Sequence, residues 1–184
     1  MTVRQAAVAA ARILQADDAE ALLADGEKTD EEIMLDEDVK ALATAVNLAA
    51  AEMSGDGFPI IRRVDAESVG GRIPLADLPD LVGVTAVERG GLPVRFAVGK
   101  TDIEVADGGR HTVVYTAVAA EKALSDEVEL GAFAAGLIEY LAARDYCLIT
   151  GRTDEASIWD QRYVAESEKR RLSRRARLPR RRWA

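Results

Sequence analysis

Apolar residues recur at helical spacing in four stretches of the chain. The clearest stripe contains Val39, Leu42, Val46, Ala49 and Met53, which follow one another at intervals of three and four residues. Such a stripe marks the buried face of an amphipathic helix. The pattern predicts helices at 2–24, 36–54, 125–149 and 153–172, with N-caps at Thr2, Asp36, Ser125 and Thr153.

Between the second and third predicted helices, the pattern changes to short β-branched or alternating runs. Examples are "FPIIRRV", "PVRFAVG" and "HTVVYTAVA", separated by the turn sequences "RGG", "GKTD" and "DGGR". These features predict an antiparallel β-meander at 58–120. The predicted fold is therefore α+β, a four-helix bundle with an inserted antiparallel β-meander and an extended basic C-terminal arm.

Charge divides the chain into two very different parts. Residues 1–168 contain 15 Lys+Arg and 32 Asp+Glu, whereas residues 169–184 contain nine Lys+Arg and no acid. The formal net charge of −8 hides this polarity. We therefore separate a single domain, 1–168, from a basic arm, 169–184.

The basic arm is the strongest candidate for a binding site. Arginine presents a planar fork of donors to carboxylate or phosphate, and tryptophan can stack or fill an apolar pocket. Three interpretations stay open: an arm that docks on a protein, an arm that neutralises nucleic-acid phosphates, and a solubilising end without a partner. The predicted partner-binding residues are Arg170, Arg171, Arg174, Arg175, Arg177, Arg180, Arg181, Arg182 and Trp183.

Other residues give weaker chemical signals. "VGKTD" at 98–102 lacks the first glycine of a phosphate loop, because Val94 stands there, and the surrounding pattern predicts a hairpin turn. His111 is the only histidine, so a His-rich metal site is not available. The paired carboxylates lie mainly in a charged stretch at 17–38. We predict no enzyme activity, no catalytic residues, no cofactor and no metal.

Two stretches resemble the head–tail adaptor proteins of tailed bacteriophages, also called head completion or connector proteins, of the tail tubular protein A type. They are "DEDVKALATAVNLAAAEMSGDGFPIIRRVD" at 36–65 and "ELGAFAAGLIEYLAARDYCLITGRTDEASIWDQRYVAESEKRRL" at 129–172. In the second stretch, a helix rich in alanine and glycine ends in a short turn before a helix that contains "ASIWDQRYVAE". This pair is similar to the closing helices of the family.

The resemblance implies a structural role without catalysis. It implies that 1–168 is an adaptor domain in a dodecameric ring of identical copies beneath the portal protein, around a channel for DNA. Further implied partners are the next tail component (a stopper, nozzle or tail protein) and passing DNA, bound without sequence specificity; no membrane is implied. The protein is then expected in the virion, after assembly in the host cytoplasm, with the basic arm on the portal or a neighbouring copy.

Two other classes of function remain as alternatives. The first is a nucleic-acid-binding module whose basic C-terminal arm grips phosphates, which predicts a steep dependence of binding on salt. The second is an enzyme with an unrecognised site, which a deep polar pocket containing His111 or clustered acids would favour.

Overall fold

A computed structural model describes residues 1–130, 134 and 136–176 of the chain. The described residues divide between two compact units. The helical unit is made of Met1–Ala49, Lys122–Val128 and Ala132–Ala184, and the β unit is made of Ala50–Glu121 and Glu129–Gly131. The described chain is thus α+β, with six α-helices and two antiparallel sheets.

The helices lie on both sides of the β segment in the sequence. They are α1 (Val3–Leu14), α2 (Asp17–Ala24), α3 (Asp30–Ile33), α4 (Glu37–Asp56), α5 (Ile138–Ile149) and α6 (Thr153–Ala176). Helix α4 contributes residues to both units. Among the described helices, none combines the length and the apolar character needed to cross a bilayer.

Alanine lines the buried side of α1. Ala6, Ala7, Ala10 and Ala11 are each fully buried. Small side chains allow helix axes to approach closely, and α1 packs against both α2 and α5. The high alanine content of the N-terminal stretch therefore serves packing between helices.

The first helix begins where the sequence predicts but ends earlier. Thr2 is the N-cap of a capping box, because its Oγ1 accepts the N–H of Gln5 at 3.2 Å and its own N–H donates to the Gln5 side chain at 3.0 Å. Gln15 has a φ of 57°, in the left-handed region, and its N–H bonds back to the carbonyl of Ala11. Helix α1 ends there, so two helices occupy the range 2–24 in place of the one predicted.

The stretch after Glu121 is not the start of a helix. The N–H of Val3 donates to the carbonyl of Asp126 at 3.0 Å, and the N–H of Val128 donates to the carbonyl of Met1 at 3.0 Å. These bonds hold 126–128 in an extended conformation beside the residues that precede α1. The predicted N-cap at Ser125 is therefore wrong, and the last regular helix before α6 begins at Ile138.

Seven strands and one short 3-10 helix, Leu75–Asp77, form the β unit. The strands are β1 (Ile60–Ser68), β2 (Arg72–Pro74), β3 (Leu81–Arg89), β4 (Leu92–Val94), β5 (Phe96–Val98), β6 (Asp102–Val105) and β7 (Gly109–Ala117). One sheet has the order β1–β7–β3–β4, and the other has the order β2–β6–β5. Every neighbouring pair is antiparallel.

The interior of the β unit is apolar. Its buried members lie at inward-facing positions of the strands, except Leu78, which follows the 3-10 helix. They are Ala66, Ile73, Leu78, Val87, Ile103, Val105, Val113, Tyr115 and Ala117. The largest of them, Tyr115, is fully buried, and its hydroxyl donates to the carbonyl of Pro79 at 3.3 Å.

The predicted four-helix bundle with an inserted antiparallel β-meander is wrong. The described residues contain six helices, and their strands form two sheets. A meander pairs each strand with the next one in the chain, but β7 pairs with β1 and with β3. Alternation of apolar and polar residues identifies strands without identifying their partners, which explains the error.

Candidate partner-binding site

Helix α6 leads into the basic arm, and one stripe of its residues packs against α5. Ala156 and Trp159 are buried on this stripe, together with Ala143 and Cys147 of α5. The Trp159 ring also stacks on that of Tyr140, with 6.5 Å between the ring centroids. This apolar contact fixes the direction in which α6 runs toward the arm.

Arg162 covers the outer face of the tryptophan. Its guanidinium carbon lies 4.6 Å from the centre of the Trp159 ring, within the range of a cation–π contact. One turn further on, Lys169 Nζ lies 2.6 Å from Glu166 Oε1. Lys169, the first basic residue of the arm, therefore pairs with an acidic residue of the same helix.

Arg170 is the last described side chain of the predicted site, and it contacts the residues just before α5. Its Nη2 donates to the carbonyl of Gly136 at 3.0 Å. A Cβ at residue 136 would lie only 2.7 Å from that Nη2 atom, so the glycine leaves room for the guanidinium. Arg170 is thus the last described side chain on the packed stripe of α6.

Glu139, in the first turn of α5, shares this neighbourhood. Its partial burial raises the pKa of the carboxyl, because the charged form loses hydration, and the positive charge of Arg170 acts in the opposite direction. The positive charge of Arg170 therefore favours the ionised carboxylate, against the effect of burial.

The other predicted site residues fall into two groups. Arg171, Arg174 and Arg175 lie in the last turns of α6, which continues to Ala176. Arg177, Arg180, Arg181, Arg182 and Trp183 lie outside the described residues. The interpretation of the basic arm as a binding site stays a prediction.

An arginine that the sequence patterns did not identify contacts several residues of the acidic stretch at 17–38. Arg4 of α1 donates through Nε to the carbonyl of Leu23 at 2.7 Å and through Nη2 to the carbonyl of Asp25. Its Nη1 also lies 3.5 Å from Asp30 Oδ1. It therefore satisfies carbonyls at the end of α2 and pairs with the first residue of α3.

A second contact missed from the sequence joins α4 and α5. The hydroxyl of Tyr146 donates to Asp38 Oδ1 at 2.7 Å. Burial first, and this hydrogen bond second, raise the pKa of Tyr146 to about 12. The two partners are 108 positions apart in the sequence, so no local sequence signal reveals the pair.

The remaining chemical candidates lie in the β unit. His111 is buried in β7, and its Nδ1 lies 2.9 Å from the carbonyl oxygen of Gly109. Residues 98–102 form the turn between β5 and β6, in which the N–H of Gly99 donates to the carbonyl of Asp102 at 2.8 Å. The described His, Cys, Asp and Glu residues form no group of three or more that could hold a metal ion.

A surface depression of about 350 Å³ lies on the β unit. It is lined by Asp65, Ala66, Glu67 and Arg110. Asp65 is already bonded there to Arg110, with 2.7 Å between the carboxylate and the guanidinium. His111 is not among the lining residues, but two acids, Asp65 and Glu67, are. The enzyme alternative, which a deep polar pocket containing His111 or clustered acids would favour, stays a prediction.

The chain matches no known protein-family model and no curated protein.

Proposed function

We propose that this chain is a structural connector subunit of a tailed phage or phage-like particle. It joins capsid to tail around the DNA channel, in a ring of identical copies beneath the portal protein. The basic arm docks on the portal, with arginines on acidic groups and Trp183 as an apolar anchor. The chain acts in the virion, after assembly in the host cytoplasm, and has no catalytic role.

One observation carries the proposal. Beyond Arg170, the last side chain of α6 that the structure describes, the chain contains seven more arginines, one tryptophan and no acid. The rest of the chain has an excess of acids, so a long-range attraction between the whole molecule and DNA is not expected. An acidic protein surface therefore suits the arm better than a polyanion does.

The test is binding to the portal protein encoded near this chain. We expect Arg180→Gln, Arg181→Gln and Arg182→Gln together to weaken portal binding at least about tenfold, because charge-assisted pairs are lost. The matched control is Lys40→Gln, Arg95→Gln and Lys100→Gln, which removes the same charge at exposed positions. The affinities are measured by light scattering of the mixtures and by surface plasmon resonance.

The control decides between a specific dock and a general charge effect. Portal binding that survives in the control and is lost in the arm variant supports the proposal. Equal loss in both variants, or no portal complex with the unmodified chain, overturns it.

A nucleic-acid-binding module is the second candidate, because the nine basic residues of 169–184 are not interrupted by any acidic residue. Such a module binds DNA through phosphate neutralisation, with a fall in affinity of several orders of magnitude between about 50 and 200 mM salt. Fluorescence anisotropy with duplex and single-stranded DNA measures this dependence. Steep salt dependence that disappears in the arm variant, without any portal binding, selects this second function.

A further inference from the structure

One face of α6 is exposed between residues 158 and 168. It lies opposite the packed stripe and includes Ile158, Gln161, Ala165 and Glu168, which are separated by three or four residues. The Ile158 side chain is 53% exposed. We call this row the outer stripe of α6. Its spacing is that of a helix that pairs with one other helix.

Charge changes sign along the same helix. Residues 153–168 contain five acids and a single base, Arg162, whereas residues 169–176 contain five bases and no acid. The dipole of a helix favours acids at its start and bases at its end, but this effect is confined to the first and last turns. The basic part of α6 is longer than that, so the dipole explains only a portion of it.

From the outer stripe and this charge reversal, we infer that α6 pairs in an antiparallel manner with α6 of a second copy of this chain. The pairing axis passes through Ala165, whose small side chain allows the helices to approach closely. Ile158 and position 172, a leucine, lie one heptad before and after Ala165, so each isoleucine meets the other copy's leucine position. Two equivalent apolar layers then flank the axis.

The charges agree with this alignment at several positions. About an axis at Ala165, position 155 lies opposite position 175, a Glu and an Arg, and position 162 lies opposite position 168, an Arg and a Glu. A parallel pair would instead place the basic ends together. Charge complementarity therefore selects the antiparallel partner.

The contact is limited to one helix from each copy. Its area falls at the small end of specific interfaces, below about 1,200 Å² in total. We therefore expect a dimer with a micromolar dissociation constant that weakens with salt. This inference goes beyond the connector proposal and does not depend on it, because it concerns only two copies of the chain.

The test is the mass of the full chain in solution as a function of its concentration, by sedimentation equilibrium. We expect a monomer–dimer equilibrium, and we expect Ala165→Arg to weaken the dimer at least about tenfold, because it places two like charges on the axis. Thr44→Arg is the matched control, since Thr44 is exposed on α4. Circular dichroism checks that both variants fold.

Charge reversal gives the sharper experiment. One variant carries Glu155→Lys, and a second carries Arg175→Glu, at the two positions that lie opposite each other about the axis. Each variant alone should remain monomeric at concentrations where the unmodified chain is dimeric. An equimolar mixture should restore the dimer, because opposite charges then meet at both ends of the pair.

The outcomes separate this inference from the connector proposal. Restoration in the mixture supports the antiparallel pair. A monomer at every concentration overturns the pair, and so does a dimer that Ala165→Arg leaves unchanged. A larger ring that persists with Ala165→Arg also overturns the pair, but leaves the connector proposal standing.

Discussion

In the β unit, several basic side chains pair with acids on other strands of the same sheet, whereas two segments of the helical unit each carry charges of almost one sign. Arg63 of β1 lies 3.1 Å from Glu88 of β3, and Arg110 of β7 lies 2.7 Å from Asp65 of β1. By contrast, residues 17–38 contain eleven acids and one lysine, and the nine bases of 169–184 lie far from them in sequence. Several charges of the β unit are thus paired between its own strands.

This difference shows where each unit carries its capacity for binding. Exposed ion pairs within a sheet add little stability, but they leave few charges available to an outside partner. Segregated charges repel one another within each segment and attract a partner of opposite sign. The helical unit is therefore the more suitable place for a charged interface.

The largest expected effect comes from the interior of the β unit. Tyr115→Ala removes a fully buried ring and leaves the carbonyl of Pro79 without its hydroxyl donor. We expect the free energy of unfolding to fall by about 3–5 kcal/mol, as for other buried aromatic side chains cut to alanine. Chemical denaturation measures the change.

Ile61→Ala is the control for this prediction, since the Ile61 side chain on the same sheet is 66% exposed. It should change the free energy of unfolding by less than about 0.5 kcal/mol. Similar values for the two variants would show that the apolar interior does not hold the β unit together.

The next effect concerns the bond between α4 and α5 in the helical unit. Tyr146→Phe removes the hydroxyl that donates to Asp38, and we expect a loss of about 1–2 kcal/mol near neutral pH. The folded state raises the pKa of Tyr146 to about 12, from the ordinary value of 10.0. The stabilisation is therefore complete below pH 10 and is lost as the pH rises toward 12.

Ultraviolet titration of the phenols tests this second prediction. One tyrosine should ionise near pH 12, and its signal should be missing from Tyr146→Phe. Asp38→Asn is the control that keeps the ring in place, and it should lower the pKa of Tyr146. Equal denaturation curves for Tyr146→Phe and the unmodified chain would contradict the prediction.

A smaller effect is expected where the helical unit meets its basic arm. Arg170→Gln removes the positive charge that opposes the raised pKa of Glu139. The pKa of Glu139 should therefore rise further, as followed by NMR of its carboxyl carbon. Arg162→Gln is the control on the same helix. An unchanged pKa in Arg170→Gln would show that the guanidinium does not act on this carboxyl.

Local chemistry made several features of the fold predictable. Thr2 caps α1 as predicted, and Asp36 accepts the N–H of Val39 at 3.0 Å before α4. The turn "RGG" also has the positive φ that its glycines predict, 60° at Gly90 and 81° at Gly91. Each of these features depends on residues within a few positions of one another.

Features set by distant residues could not be predicted. The extended conformation of 126–128 depends on its bonds to the start of the chain, and the left-handed residue that ends α1 is a glutamine, which rarely marks such a stop. The sheet order depends on the pairing of β1 with β7, which joins Ile60 to Ala117. The sequence pattern within a strand does not specify which other strand it pairs with.

The candidate site likewise combines a feature that the local sequence predicts with contacts that depend on distant residues. Charge composition alone identified the basic arm, because residues 169–184 contain nine basic residues and no acidic residue. The contact of Arg170 with Gly136 was not visible, since it requires α5 and α6 to pack side by side. The proposed partner of the arm is a surface outside this chain, so the sequence of the chain does not identify it.

The smallest expected effect tests the pairing of charges between strands of the β unit. The Thr112 hydroxyl donates to Asp65 Oδ1 at 2.7 Å, and this bond, with that of Arg110, lowers the pKa of Asp65 below 3.8. A lowered pKa stabilises the fold above pH 3.8, and this contribution is lost as the pH falls through the folded value. In Thr112→Val the pKa of Asp65 should rise, as measured by NMR. Thr116→Val is the matched control, because the Thr116 hydroxyl donates to the carbonyl of Gly83 instead. A pKa that stays low in Thr112→Val would assign the effect to Arg110 alone.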